Sequence, residues 1–518
     1  MATVKLSSVE GRWIMVSAIL ASAMAFIDGT ALNVVLPALQ LDLHASAMDL
    51  FWVLNAYLLV LASLILIGGA MGDRYGRKKV FMLGILIFIA GSTACGFAQH
   101  VTLLVIFRAL QGIGGALMIP GSLSLISSGI AEKERGRAIG TWSAFTTIVT
   151  MGGPILGGAL ADAGLWRYIF FINVPIGLVT LLMLSTKVKE SADGQVRGRL
   201  DFGGALTIAL ALAMLTFGFL RVPVLGIVHL QTLGMLVAGF ALLILFIRIE
   251  SRHENPMMPL SLFRNSIFSG ANLLTFFLYA GLGAGMLFLS LNLVQVQGYS
   301  QLQSGFTFLP FTVLMVLIAR FAGKLADKYG PRWFLIAGPA VAGLGMLLLS
   351  LVAQTAGPAA YWSTFFPGVL VLGLGMSFTV APLTTAVMGA VHEELSGTAS
   401  GVNNAMTRIA SVFANAIFGA LAVLFFVGVL KKDLANLPLT ESQRIGIIAE
   451  AKNLGDAKVP ESVNPEIRSR IIRANKDGFI HAYQMVMRIS CILALTGAVM
   501  AVVFIKPRGL SKNNVKAM

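Results

Sequence analysis

Charge is scarce in this sequence. Of its 518 residues only 12% are Asp, Glu, Lys or Arg, about half the ~25% of a soluble globular protein. The deficit runs the whole length of the chain, while 57% of residues are hydrophobic and mean hydropathy is +0.84. That combination excludes a soluble globular protein and describes a polytopic membrane protein. Cysteine is nearly absent. Cys95 and Cys491 both fall inside apolar runs, which implies neither a disulfide framework nor a metal site. The six histidines (His44, His100, His229, His253, His392, His481) are dispersed. No H-E-x-x-H, nucleotide-binding loop or soluble stretch of enzyme size appears. A membrane-embedded enzyme or receptor therefore finds no support, and ATP coupling is not expected. Acidic residues are outnumbered, 23 against 38 Lys and Arg, for a net charge of +15. The basic residues lie mostly in short connections between apolar runs, which is the positive-inside pattern. No nucleic-acid partner is expected.

What is there, instead, is apolar sequence in lengths that suit a bilayer. Lys5, Arg12 and Ala21-Ser22-Ala23 resemble a cleaved signal peptide, but the apolar run continues past Asp28 to about Leu39. A retained first helix is expected. Further runs lie near 50–70, 79–98, 102–127, 138–161, 168–187, 202–220, 230–249, 265–295, 303–322, 333–353, 362–386, 397–428 and 479–505. The expected fold is all-α with about fourteen transmembrane helices. One set of connections is basic: Arg74, Arg77, Lys78 and Lys79; Lys133, Arg135 and Arg137; Lys187, Lys189, Arg197 and Arg199; Arg248, Arg252 and Arg264; Lys324, Lys328 and Arg332. The alternate short connections carry little beyond Arg167 and Arg221. The basic set, and both termini with it, is expected in the cytoplasm. The segment from Lys431 to Gly478 has charges of both signs. It is expected outside, as a short amphipathic helix or a mobile stretch.

One stretch occurs twice. Gly69 to Val80 reads GAMGDRYGRKKV, and Gly323 to Phe334 reads GKLADKYGPRWF. Gly69/Gly323, Asp73/Asp327, Tyr75/Tyr329 and Gly76/Gly330 fall at equal offsets. The first copy joins runs 2 and 3, the second runs 10 and 11. Two six-helix halves in direct succession would set the copies six helices apart; here they are eight apart. Two helices are therefore inserted, giving a 6+2+6 arrangement: an N-terminal bundle in 1–200, the inserted pair and a linker in 201–264, and a C-terminal bundle in 265–518 with the outside segment near 429–478. Parallel halves of this kind are a transporter architecture, with the substrate site near the midplane between them.

Within that frame Asp28 is the sharpest feature, the one carboxylate evident deep in a run. Counting 1.5 Å per residue, it lies roughly 13 Å from the end of its helix, and Arg108 lies roughly 10 Å from the same side of the fourth. The two can pair or communicate through water. Burial disfavours a carboxylate's charge and a neighbouring arginine favours it, so a cavity that opens and closes can load and unload a proton at Asp28. A static ion pair bracing two helices is the other reading. Gly153 and Gly157 share a helix face that permits close approach, and Pro154 can kink the helix. That face serves as pivot, as seal, or as ordinary tight packing. Polar or small stripes occur in the ninth run (Asn272, Thr275, Tyr279, Gly283, Met286, Ser290) and the thirteenth (Ser400, Asn404, Arg408, Ser411, Asn415). Each stripe lies on one face and lines a cavity or packs on another helix. Arg408 and Arg488 are both expected inside the bilayer. Phe26, Trp52, Tyr57 and Phe145 supply either a pliable pocket or core packing.

Five motifs in order carry a resemblance. Phe26-Ile27-Asp28-Gly29-Thr30-Ala31-Leu32-Asn33-Val34-Val35-Leu36-Pro37, Gly69 to Lys79, Arg108-Ala109-Leu110-Gln111-Gly112, Gly152-Gly153-Pro154 with Gly157-Gly158, and Trp166 to Pro175 resemble those of the major facilitator superfamily. More narrowly, they resemble its fourteen-helix drug:proton antiporters. The resemblance implies a proton-coupling role for Asp28 with Arg108, and an antiport role for the glycine motif Gly153, Pro154, Gly157 and Gly158. It also implies a latch between the halves at Gly69, Asp73, Arg74, Gly76 and Arg77. The second copy departs, with Pro331 for Arg77 and Trp333 for Lys79, so a latch at Asp327 is expected to be weaker. Some relatives carry acids in the thirteenth helix, suited to dicationic drugs; here that helix has Asn403, Asn404 and Arg408. The implied function is proton-coupled export of amphiphilic small molecules, neutral or monocationic, through a cavity expected at Phe26, Tyr57, Asn272, Tyr279, Asn404 and Arg408. A transporter of a specific metabolite, lipid precursor or anion on the same fold stays open. No cofactor or metal is expected, only a proton gradient. Small molecule, protons and the bilayer of the cell membrane are the expected partners, the protein acting as a monomer or with accessory export proteins.

Overall fold

Apolar backbone cannot leave its N–H and C=O groups unpaired in hydrocarbon, so each long apolar run closes its hydrogen bonds along itself as a helix. A computed structural model describes residues 4–190, 201–254, 256–391, 396–435, 437–457, 459 and 463–505. Its helices are α1 (Val9–Asp42), α2 (Ala47–Tyr75), α3 (Arg77–Phe97), α4 (Val101–Gly129), α5 (Glu132–Asp162), α6 (Tyr168–Phe171), α7 (Asn173–Lys187), α8 (Phe202–Leu225), α9 (Leu230–Arg252), α10 (Ser266–Gln295), α11 (Gln301–Thr307), α12 (Leu309–Tyr329), α13 (Arg332–Ser350), α14 (Phe365–Gly389), α15 (Ser396–Ala435), α16 (Glu441–Ala449) and α17 (Pro465–Phe504). Side-chain caps start several of them, including Ser8, the Ser46–Asp49 capping box, Asn265 and the Ser300–Gln303 box, where the first N–H groups lack helical partners.

Thirteen spans among the described residues are long and apolar enough to cross a membrane, with α6–α7 and α11–α12 each counting as one. The remaining expected crossing is α5. It has 31 residues, and among the described residues Ile148–Asp162 is its apolar stretch. The segment near 429–478 is largely helical. α15 continues to Ala435, α16 follows, and α17 already begins at Pro465. Leu454 and Val459 bury in the main core. The segment thus caps one face of the molecule. Beyond hydrocarbon a helix needs only one apolar face, which is why its charges hid it.

The helices α1 to α7 pack among themselves, as do α10 to α15 with α17. α8 and α9 lie against each other, and α8 rests on α2 and α15. The core is asymmetric. On the face carrying the 429–478 segment both bundles share it: Leu36, Leu39, Leu50 and Phe51 cluster with Phe288, Phe365 and Phe426. Toward the opposite face α1 to α7 have a core of their own, around Ile14, Phe81, Ile85 and Ile126. Among the described residues only Ala405 joins it from α10 to α17. The two copies of the repeated stretch share a backbone feature. Gly76 (φ +110°) and Gly330 (φ +89°) each end a helix in a conformation that favours glycine.

Candidate functional site

Three helices build the site. Arg108 and Gln111 are three apart on α4 and so share a face. Both reach Asp28, midway along α1. Arg108 Nη1 donates to Asp28 Oδ2 at 2.5 Å and to Gln111 Oε1 at 2.7 Å. Gln111 Nε2 donates to Asp28 Oδ1 at 2.9 Å, closing the ring. From α2, the Val53 carbonyl accepts from Arg108 Nε at 3.3 Å, and the Tyr57 ring lies 4.4 Å beneath the guanidinium. Asp28, Arg108 and Gln111 are 0%, 1% and 0% exposed. Each buried ion costs several kcal/mol to desolvate, so neither is stable there alone. Beside the pair, Gly29 borders open space: a Cβ there would meet nothing within 4 Å.

Arg408 and Tyr279 are half-buried on α15 and α10, and Asn404 is exposed. The charge of Arg408 reaches the hydroxyls of both Tyr57 and Tyr279. Arg408 forms no ion pair among the described residues. Two residues expected in the cavity are placed otherwise. Tyr57 is 3% exposed, stacked under Arg108. Asn272 is 1% exposed and accepts a hydrogen bond from Asn403, which also bonds Thr275, so it joins α10 to α15. Packing claims these side chains because an amide or ring between two helices has no room to face a cavity. Phe26 is half-buried on α1. Arg488 is exposed on α17, 3.9 Å from the Met485 sulfur.

The glycine motif of α5 faces two partners. Cβ atoms on Gly153 and Gly157 would strike Thr30 and Ala31 of α1. One on Gly158 would stand 2.5 Å from the Gln301 carbonyl of α11, and one on Gly305 of α11 would strike the Pro154 carbonyl. Asp162 then accepts from the N–H groups of Gln301 and Leu302 at 2.8 and 3.0 Å, capping α11 across the gap between bundles. Nearby, Gln295 donates to Gln40 at 2.9 Å, and Ser290 to the Asn33 carbonyl at 3.2 Å.

At the repeated stretch, Gly69 and Arg77 line one small groove with Gly68 and Gly72, and Arg74 stands 5.4 Å over the Tyr75 ring. The side chains of Asp73 and Asp327 lie outside the described residues. Glu190 caps α3 through the N–H groups of Lys78 and Lys79 at 3.0 and 3.1 Å. Glu190, Gln111 and Asp162 were not singled out from sequence. Only Gln111 left a trace there, its i+3 spacing from Arg108. Asp28 is not the one buried carboxylate of the spans. Glu250 on α9 is 2% exposed; close to the end of its run, it reads in sequence as flanking charge.

Comparison with known proteins shows the family. The chain matches the Major Facilitator Superfamily over residues 18–415. It belongs to that superfamily. This major facilitator is 34% identical over 415 residues to Multidrug resistance protein Stp of Mycobacterium tuberculosis (strain CDC 1551 / Oshkosh), covering 79% of this chain and 76% of that one. It is 30% identical over 481 residues to the Tetracenomycin C resistance and export protein of Streptomyces glaucescens, covering 92% and 88%. Its fold is similar to that of a bacterial homologue of the human lysosomal transporter Spinster, solved inward-facing and unoccupied. The TM-score is 0.65 at 17% identity, over 96% of this chain and 98% of that one. The protein is a polytopic membrane transporter and not an enzyme.

Proposed function

We propose that this transporter exports amphiphilic small molecules from the cell in exchange for protons, by alternating access between an N-terminal bundle (1–200) and a C-terminal bundle (265–518), with the pair in 201–264 inserted. The observation that carries the reading is Asp28, buried and ion-paired with Arg108, next to Gly29, which borders open space. While Asp28 is ionised its pair with Arg108 is neutral as a whole. A proton on Asp28 leaves the buried Arg108 cation without a counter-ion, which is strongly unfavourable. The two protonation states therefore favour different arrangements of the helices around them, and a ligand or proton shifts a two-state equilibrium by that difference.

The basic connections argue for both termini in the cytoplasm of a cell-membrane protein. In that orientation the face sealed by α5 against α11 is outside and the separate cores lie inside, which supports an inward-facing state. The repeated stretch, with Asp73 and Arg77 in its first copy, then acts as the latch on the cytoplasmic side, and Asp327 as a weaker one. The absence of a carboxylate in 397–428, the thirteenth expected run, argues against dications and for neutral or monocationic amphiphiles. Arg408 of α15, half-buried and without an ion pair among the described residues, favours a second reading: an anionic amphiphile on the same fold.

Everted membrane vesicles with an imposed pH gradient test both. Wild type and Asp28→Asn are compared on a panel of cationic dyes, antiseptics, neutral antibiotics and organic anions. Gradient-driven uptake is expected in wild type and only background in Asp28→Asn at equal membrane abundance. Robust uptake by Asp28→Asn would overturn the coupling role, and the panel decides between the two substrate charges.

A further inference from the structure

A second pair of buried acids lies away from Asp28, where α8 begins and α9 ends. Asp201 is 5% exposed and Glu250 2%. Each has one oxygen committed to backbone. Asp201 Oδ1 accepts from the Gly204 N–H at 2.7 Å, as the N-cap of α8, and Glu250 Oε2 accepts from the Met258 N–H at 3.0 Å. The other two oxygens, Asp201 Oδ2 and Glu250 Oε1, are buried without a hydrogen-bond partner. They converge: a Cβ on Gly204 would stand 2.5 Å from the first and 3.0 Å from the second. Two carboxylate oxygens, both acceptors, thus face each other in a desolvated space.

Among the described residues neither acid forms an ion pair. Among the described residues Asp201 is the only charged group whose field is felt at Glu250. On α9 and the stretch of chain after it, Arg248, Arg252 and Glu254 are exposed, and His253 is half-buried. The surfaces of α2 and α15 against this corner are apolar, with Leu59, Ala62, Ile409, Val412 and Phe413. Arg74, at the end of α2, is turned over Tyr75. Two like charges in such a place cannot both persist. A single shared proton removes one charge and turns the facing acceptors into a donor and an acceptor.

We propose that Asp201 and Glu250 form a second proton-binding site, holding one proton between Asp201 Oδ2 and Glu250 Oε1. This protonated clasp ties α8 to α9 and, through the Met258 N–H, to the 253–264 connection that leads into α10. The site is independent of Asp28. The sign follows from burial: the clasp is closed while the pair holds its proton and opens as pH rises and the proton leaves. The exchange step is acid–base alone, the proton passing to water.

Hydrogen–deuterium exchange of the full-length protein in detergent tests this on the peptide containing Met258. After correction for intrinsic exchange, protection in wild type is expected to fall by about tenfold per pH unit on the alkaline side, the slope of one released proton. Glu250→Gln and Asp201→Asn, whose amides donate without titrating, are expected to keep the peptide protected across the range. Infrared difference spectra of Asp28→Asn provide the second readout: a protonated-carboxyl band that titrates, and that Glu250→Gln removes. Wild-type pH dependence persisting in both amide variants would overturn the proposal. So would loss of the band on adding Na⁺, K⁺ or Mg²⁺ at constant pH, which would make the pair a metal-cation site instead.

Discussion

Gly158 of α5 and Gln301 of α11 meet across the two bundles with no room for a side chain. A Cβ on Gly158 would stand 2.5 Å from the Gln301 carbonyl oxygen and 2.6 Å from the Leu302 Cα. Both obstacles are backbone, so neither can rotate away. Gly158→Leu is expected to hold the bundles apart at this face and reduce gradient-driven export at least about tenfold, the effect of 1.4 kcal/mol. A cysteine at Gln295, beside the seam, then labels faster with an impermeant thiol reagent. Gly152→Ala is the control: its Cβ would meet nothing within 4 Å, and near-normal export is expected.

Gln111 closes the ring around Asp28 and Arg108 with two bonds to charged partners. Hydrogen bonds to charged groups are worth about 1.5–3 kcal/mol. Gln111→Leu keeps the size of the side chain and removes both bonds. Export in everted vesicles is expected to fall about tenfold or more, with unchanged abundance. Unaltered export would show that the arginine alone positions Asp28.

Arg108→Ala leaves Asp28 as a buried charge without a partner. Breaking such a pair costs about 3–5 kcal/mol, so thermal unfolding in detergent should move to lower temperature by several degrees. Asp28→Asn added to Arg108→Ala is expected to recover part of the loss, a non-additivity that marks direct coupling. Arg108→Lys is not a rescue, because lysine lacks the planar fork that reaches Asp28, Gln111 and Val53 at once.

Gly76 has φ +110°, and a Cβ there would stand 2.9 Å from the Glu190 carboxylate. Gly76→Ala combines backbone strain of about 1–3 kcal/mol with a collision against the cap of α3. Glu190→Gln removes the charge and one of the two accepting oxygens, and loss of a helix cap is worth about 1 kcal/mol. Thermal stability is expected to order wild type, Glu190→Gln, Gly76→Ala from highest to lowest. The reverse order of the two variants would mean that the charge, not the turn, holds α3 in place.

Legibility in sequence followed the physics of each feature. The helices were readable because hydrocarbon demands about 20 apolar residues per crossing, and the bundles because a twelve-residue pattern returns at Gly323. Asp28 stood out because a carboxylate deep in an apolar run is costly. Glu250 did not, although it is just as buried, because it sits within a turn of its run's end and its shielding comes from Met258 and Asp201, which the fold brings from elsewhere. The segment 429–478 reads in sequence as a short amphipathic helix or a mobile stretch, and its capping role is hidden there for a related reason: its apolar residues, such as Leu454 and Val459, acquire meaning only against the core they enter.

Composition and local pattern alone therefore determined that this chain crosses a membrane many times in two related halves, and that Asp28 and Arg108 lie at one depth. These properties depend on what each residue does in lipid or on its own helix. Tertiary structure decided which groups meet: that Gln111 completes the Asp28–Arg108 ring, that Asn272 serves packing, that Asp162 closes α11, and that Asp201 faces Glu250. Side chains of different helices come together through the packing of whole surfaces, and no single stretch of sequence holds that information.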